Sequence, residues 1–210
     1  PKMLPSIVIL DHDLTIPLPP SLTAFTGMDA LAHCLEAYSS VIFHPLSQGI
    51  ALEGMKIIKD NLFVAYKDGN NIRARANMLA SSSMGSIAFQ KGLGAIHSLS
   101  HPIGAIYNTH HGLTNAVFMP YVLIRNKEAI ENKIVDLSRY LNLSNPSFNS
   151  FLDWILDLRK LLSIPHTLKE FIDDDSNFEK MSIMALNDPS TGSNPIKLNQ
   201  DDFLKLYQHS

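Results

Sequence analysis

The chain has 210 residues, 45% hydrophobic and 18% charged, enough to bury a substantial core in one large domain or two small ones. A net charge of −3 with no run of Lys or Arg excludes a general electrostatic footprint for nucleic acid. No apolar run reaches membrane-spanning length, and the lone Cys34 cannot make an internal disulfide, so we expect a cytoplasmic protein with no membrane and no nucleic-acid partner.

The opening residues are too short and too interrupted by proline for a signal peptide. Ile7-Val8-Ile9 is β-branched and continuously apolar, which predicts a short leading strand. No partner strand is offered nearby, so its sheet is expected in an α/β domain outside these residues. The chain then reads as a piece of a longer protein. Residues 11–20 carry Pro17, Pro19 and Pro20 and read as a linker, so residues 1–20 are taken as the end of an N-terminal domain plus linker. Residues 21–210 show recurring helical periodicity without alternating segments, which predicts an all-α, multi-helix domain.

The first predicted helix, residues 21–40, places Asp29 and His33 four apart, so a carboxylate and an imidazole project from one face. Thr26 with Asp29 also reads as a local capping box that restarts the helix near Gly27. His44-Pro45 reads as a turn, and residues 47–64 as an amphipathic packing helix. After the turn at residues 68–71, the helix at residues 72–89 ends in small residues and is a candidate central helix. Residues 112–124 read as a buried helix kinked at Pro120. The character changes beyond Arg125-Asn126, where five ordinary surface helices are expected, at residues 127–141, 148–162, 167–172, 177–186 and 199–207. Phe151 and Trp154 are assigned to the core, Asp173-Asp-Asp175 to a solvated helix end, and residues 188–195 to turn chemistry.

Histidine is concentrated between these parts. Four of the chain's nine histidines, His97, His101, His110 and His111, fall between positions 97 and 111, where an even spread would put about 0.6. His97 and His101 are four apart and share a helix face. Pro102, Gly104 and Asn108 predict a turn that folds His110 or His111 back toward them. An isolated pair of this kind is more often an ordinary surface feature. With Asp29 and His33 upstream, however, one carboxylate and three or four imidazoles stand on two helical elements, a ligand set for a divalent metal held by nitrogen and oxygen.

Three stretches carry a family resemblance: Thr26-Gly-Met-Asp29-Ala-Leu-Ala-His33-Cys-Leu-Glu-Ala-Tyr38, Gly92-Leu-Gly-Ala-Ile-His97-Ser-Leu-Ser-His101-Pro-Ile-Gly104 and His111-Gly-Leu-Thr-Asn115-Ala-Val-Phe-Met-Pro120. With Asn194-Pro195, they resemble the C-terminal helical half of the iron-containing (group III) alcohol dehydrogenases, a dehydroquinate synthase-like fold. The resemblance implies that Asp29, His33, His97 and His111 ligate one divalent metal, usually iron and in some members zinc. It also implies that His101 sits beside substrate and nicotinamide without being a ligand. His110 stands where many members have proline, so the ligand role falls to His111, the histidine before Gly112.

The function so implied is the metal-binding half of an NAD(P)-dependent alcohol dehydrogenase, reversibly converting alcohol to aldehyde or ketone by hydride transfer. The metal acts as Lewis acid on the substrate oxygen, and His101 relays the proton. Small alcohols or aldehydes are the expected partners, with a homo-oligomer in the full-length form. NAD or NADP is expected to bind mainly to the N-terminal domain, because Gly92-Leu-Gly94 has no strand before it; no residue here is assigned to cofactor binding. These 210 residues alone are therefore expected to be inactive. Two other classes remain: a metal-dependent hydrolase, separable by its independence of dinucleotide, and a non-catalytic helical module, which an open metal position would count against.

Overall fold

Proline sets where the first long helix begins. In the computed structural model, which describes residues 5–210, α1 runs Pro20–Ser39 with Pro20 in its first turn, where a missing N–H leaves no helix bond unmade. It is continuous through Gly27. The expected capping box does not form, because the Thr26 hydroxyl donates to the Leu22 carbonyl one turn back and Asp29 lies mid-helix. α2 (Pro45–Lys67) is capped by the His44 ring, whose Nδ1 accepts from the Ser47 amide at 3.1 Å. α3 (Ile72–Ala88) is capped by Asn71.

α4 (Ala95–Tyr107) ends at Asn108, whose φ of 53° is left-handed, so the chain reverses there. α5 follows immediately as one 30-residue helix, His111–Tyr140. The two helices expected on either side of Arg125-Asn126 are therefore one, with Pro120 inside it. Asn126 faces inward and is buried, bonding Asn194 through both amide atoms, so the polar dipeptide marks a contact and not a break.

α6 (Phe148–Leu161), α7 (Phe178–Leu186) and α8 (Gln200–His209) complete the set. The helix expected at residues 167–172 is only a 3-10 turn, Leu168–Glu170. Phe151 is fully buried and Trp154 packs on the core half-buried. Residues 173–175 are exposed, as expected for a solvated end.

The central element is α1 and not α3. Thirteen of its 20 residues are buried, and it packs against α2, α3 and α5. The small residues of α3 serve this arrangement from outside: a Cβ on Gly85 would lie 3.1 Å from the His33 Cβ, so glycine there lets α3 sit close on α1. α4 packs between α5 and α7, and the buried Tyr207 of α8 donates to the Leu99 carbonyl of α4 at 2.8 Å.

The leading strand is a correction. No strand occurs among the described residues, and Ile7 and Ile9 are 80% and 83% exposed. An apolar β-branched run becomes a strand only against a partner, and none is present among these residues. The segment expected as a linker carries a 3-10 turn, His12–Thr15, and is held at Leu18, whose carbonyl accepts from the buried Arg75 guanidinium at 3.1 Å; Arg75 also donates to the Gly69 carbonyl at 2.9 Å and the Thr23 hydroxyl at 2.6 Å.

Candidate metal centre

Three helices bring the chemistry together. α1 presents Asp29, His33 and Glu36 from successive turns, α4 presents His97 and His101 four apart, and α5 opens with His111 and carries Asn115 one turn on. Gly112 makes the approach of α5 to α1 possible. A Cβ there would run into the Phe25 carbonyl and come within 3.2 Å of the Asp29 Cβ.

Asp29 Oδ1 is 3.4 Å from His111 Nε2 and 3.7 Å from His97 Nε2. His33 lies beside this trio, its Nδ1 3.9 Å from the other carboxylate oxygen and its ring stacked on His97 at 4.7 Å. Asn115 Nδ2 sits within 2.7 Å of Asp29 Oδ1, 3.0 Å of His111 Nε2 and 3.2 Å of His97 Nε2. An amide nitrogen has two protons, and three acceptor atoms crowd around it. Its Oδ1 is buried without a partner.

The charges follow from burial and neighbours. Burial alone would raise the Asp29 carboxyl, but the imidazoles of His111, His97 and His33 beside it outweigh that and hold Asp29 well below the usual carboxylate range. Burial pulls His33 down to about 4, against the pull of Asp29, so its imidazole stays neutral at physiological pH. Burial also works downward on His97, yet the Glu36 and Asp29 carboxylates overcome it and hold a proton there.

The residues fit a divalent cation. The donors are imidazole nitrogen and carboxylate oxygen without thiolate, the set that suits zinc or iron. Four-coordinate bonds of about 2.0–2.2 Å put ligand atoms about 3.3–3.6 Å apart, close to the spacings around Asp29 Oδ1. His110 does not join them. Its ring caps α5, with Nδ1 accepting from the Gly112 amide at 3.2 Å, and packs against Phe25. His101 stands at the rim, its ring stacked on His111 at 5.4 Å and its Nδ1 2.7 Å from Asp188 Oδ2.

Comparison with known proteins identifies the family. The sequence model of the Fe-containing alcohol dehydrogenase family, C-terminal, matches residues 23–210. The chain belongs to that family. It is 36% identical to the 4-hydroxybutyrate dehydrogenase of Cupriavidus necator over 99% of this chain and 56% of the relative. It is 32% identical to the NADPH-dependent butanol dehydrogenase of Clostridium saccharobutylicum, over 97% of this chain and 54% of the relative. Among solved structures, a 1,3-propanediol oxidoreductase superposes with a TM-score of 0.90 at 32% identity, covering 94% of this chain and 54% of that one. This member of the iron-containing family thus spans about half the length of the curated relatives it matches.

Three polar residues of this dehydrogenase-family site escaped sequence reading. Glu36 had a signal, since it lies seven residues beyond Asp29 and so on the same helix face. Asn115 had one too, four residues after His111. Asp188 had none, because it reaches His101 across 87 residues from a segment that reads as a turn.

Proposed function

We propose that this chain is the metal-binding half of an NAD(P)-dependent alcohol dehydrogenase acting reversibly on a small alcohol and its aldehyde or ketone. Convergence of Asp29 Oδ1, His97 Nε2 and His111 Nε2 from three helices carries the proposal. His33 completes the ligand set, neutral and one turn from Asp29. A divalent ion held there, iron or zinc, supplies Lewis acidity toward the substrate oxygen, while hydride is exchanged with the nicotinamide. The enzyme is taken as cytoplasmic and as a homo-oligomer at full length; among the described residues no helix is long and apolar enough to cross a membrane.

The chain's own residues then divide the work. Asp29, kept ionised, offsets part of the cation's charge and leaves the site electrophilic. His101 has its side chain 44% exposed and its Nδ1 held by Asp188, so Nε2 is left for the alcohol proton, taken on oxidation and returned on reduction. The rings of His33, His97, His111 and His101 form one wall, His33 stacked on His97 and His101 on His111, with His97 and His111 tilted against each other at 5.2 Å.

The test uses the protein at its natural length, loaded with ferrous iron or zinc and assayed by nicotinamide absorbance with short primary alcohols. Wild type should hold one metal per chain. Asp29→Ala and His111→Ala should lose both metal and turnover, and His110→Ala should keep the metal. Full turnover after exhaustive chelation, or metal loss on His110→Ala with retention on His111→Ala, would overturn the assignment.

A further inference from the structure

Each metal-facing imidazole has a second nitrogen, and what that nitrogen does decides whether the first can bind. At His97 the second nitrogen is Nδ1, and it lies 2.6 Å from Glu36 Oε2, buried on both sides. The other Glu36 oxygen, Oε1, accepts the Ile96 amide at 2.7 Å. Ile96 lies in the first turn of α4, where backbone N–H groups have no partner within the helix and the helix dipole favours negative charge. One buried carboxylate therefore answers two donors, an imidazole and a helix N-terminus. A second residue caps the same helix end without touching the imidazole: Asn194 Oδ1 accepts the Ala95 amide at 3.1 Å.

A carboxylate can only accept, so the proton between Glu36 and His97 belongs to Nδ1, and Nε2, facing Asp29 and His111, is the nitrogen left for a cation, giving up any proton it holds when one binds. We propose that Glu36 is the positioning residue of the metal centre: it fixes His97 with Nδ1 protonated and Nε2 open, and ties the start of α4 to that orientation. This rests on the metal-centre reading above.

The chemistry makes substitution informative. Glutamine has one acceptor oxygen and one NH2 group, but two N–H groups must be met. If its NH2 faces His97, the ring must accept at Nδ1 and carry its proton on Nε2, which removes the lone pair from the centre. If its NH2 faces Ile96, two donors oppose each other in a buried space.

The experiment measures zinc affinity of the natural-length protein by competition with a chromophoric chelator. Wild type, Glu36→Gln, Glu36→Asp, Asn194→Ala and Asp29→Ala are compared, each with its melting temperature. In the zinc-loaded wild type, 15N–1H spectra of the histidine rings read which nitrogen of His97 carries hydrogen. Glu36→Gln should bind zinc about 10- to 100-fold more weakly, the usual cost of losing a partner behind a metal-bound histidine. Glu36→Asp, still an anionic acceptor, should recover part of that loss. Asn194→Ala should lower the melting temperature while leaving zinc affinity at the wild-type value.

Wild-type affinity in Glu36→Gln, or equal loss in Asn194→Ala, would overturn the proposal. So would hydrogen on Nε2 of His97 in the zinc-loaded wild type, a reading that stands even if no Glu36 variant folds. If Asp29→Ala also retains zinc like wild type, the metal-centre reading itself has failed and the proposal falls with it.

Discussion

At Gly112 the absence of one carbon decides whether His111 reaches Asp29. Any side chain there meets the Phe25 carbonyl of α1, and backbone cannot rotate out of the way as a flexible side chain can. Gly112→Ala should therefore push the first turn of α5 off α1, at a cost of about 1–3 kcal/mol typical of overpacking. It should also weaken metal retention, because His111 moves with that turn. Urea denaturation and metal content check both; an unchanged midpoint with full metal would show that the contact yields cheaply. The same residue-scale logic separates His110 from His111. Adjacent in sequence, one ring caps the helix and the other faces the carboxylate, and helix geometry sends them apart.

Among the elements, the C-terminus of α1 is the most heavily provided for. Its last carbonyls lack helix partners, and two ammonium groups serve them: Lys91 Nζ donates to the Tyr38 and Ser40 carbonyls at 3.1 and 3.2 Å, and Lys133 Nζ to Ser39 and Ser40, both at 3.2 Å. Burial, with Lys133 beside it, pulls Lys91 down to about 8. The folded pKa thus lies below the unfolded one of about 10.4, so between these values the unfolded chain binds the extra proton and stability rises with pH. Below about pH 8 both states are protonated and this gain is gone. The stability difference between wild type and Lys91→Met, measured by urea at pH 7, 8.5 and 10, should shift in favour of wild type as pH rises. A flat difference would mean Lys91 titrates normally.

For the whole molecule, the relevant fact is that relatives are nearly twice as long as the matched region. Pyrophosphate recognition in dinucleotide-binding folds uses a glycine turn between a strand and a helix N-terminus, and no strand occurs among the described residues. These 210 residues, expressed alone and loaded with zinc or ferrous iron, should neither bind NAD or NADP with micromolar affinity nor oxidise short alcohols. Calorimetric titration and nicotinamide absorbance measure this. Turnover by the isolated polypeptide would place the cofactor site within these helices.

The all-α class, most helix positions and the family motifs were legible from sequence, because helical periodicity and the His and Asp spacings are local properties. Asp29 with His33, and His97 with His101, were visible as pairs for that reason. Helix boundaries set by tertiary contact were not legible. Arg125-Asn126 reads as a break until Asn194 is there to bond Asn126, and Ile7-Val8-Ile9 reads as a strand although strand formation depends on a partner. Nor can spacing tell which helix is central: α3 has the small residues, but the burial of α1 follows from three helices packing on it. The groups behind the imidazoles divide along the same line. Glu36 lies on the Asp29 face and its position could be read from spacing, but its bond to His97 exists only because α4 docks there; Asp188 reaches His101 from 87 residues away, a contact that no local pattern encodes.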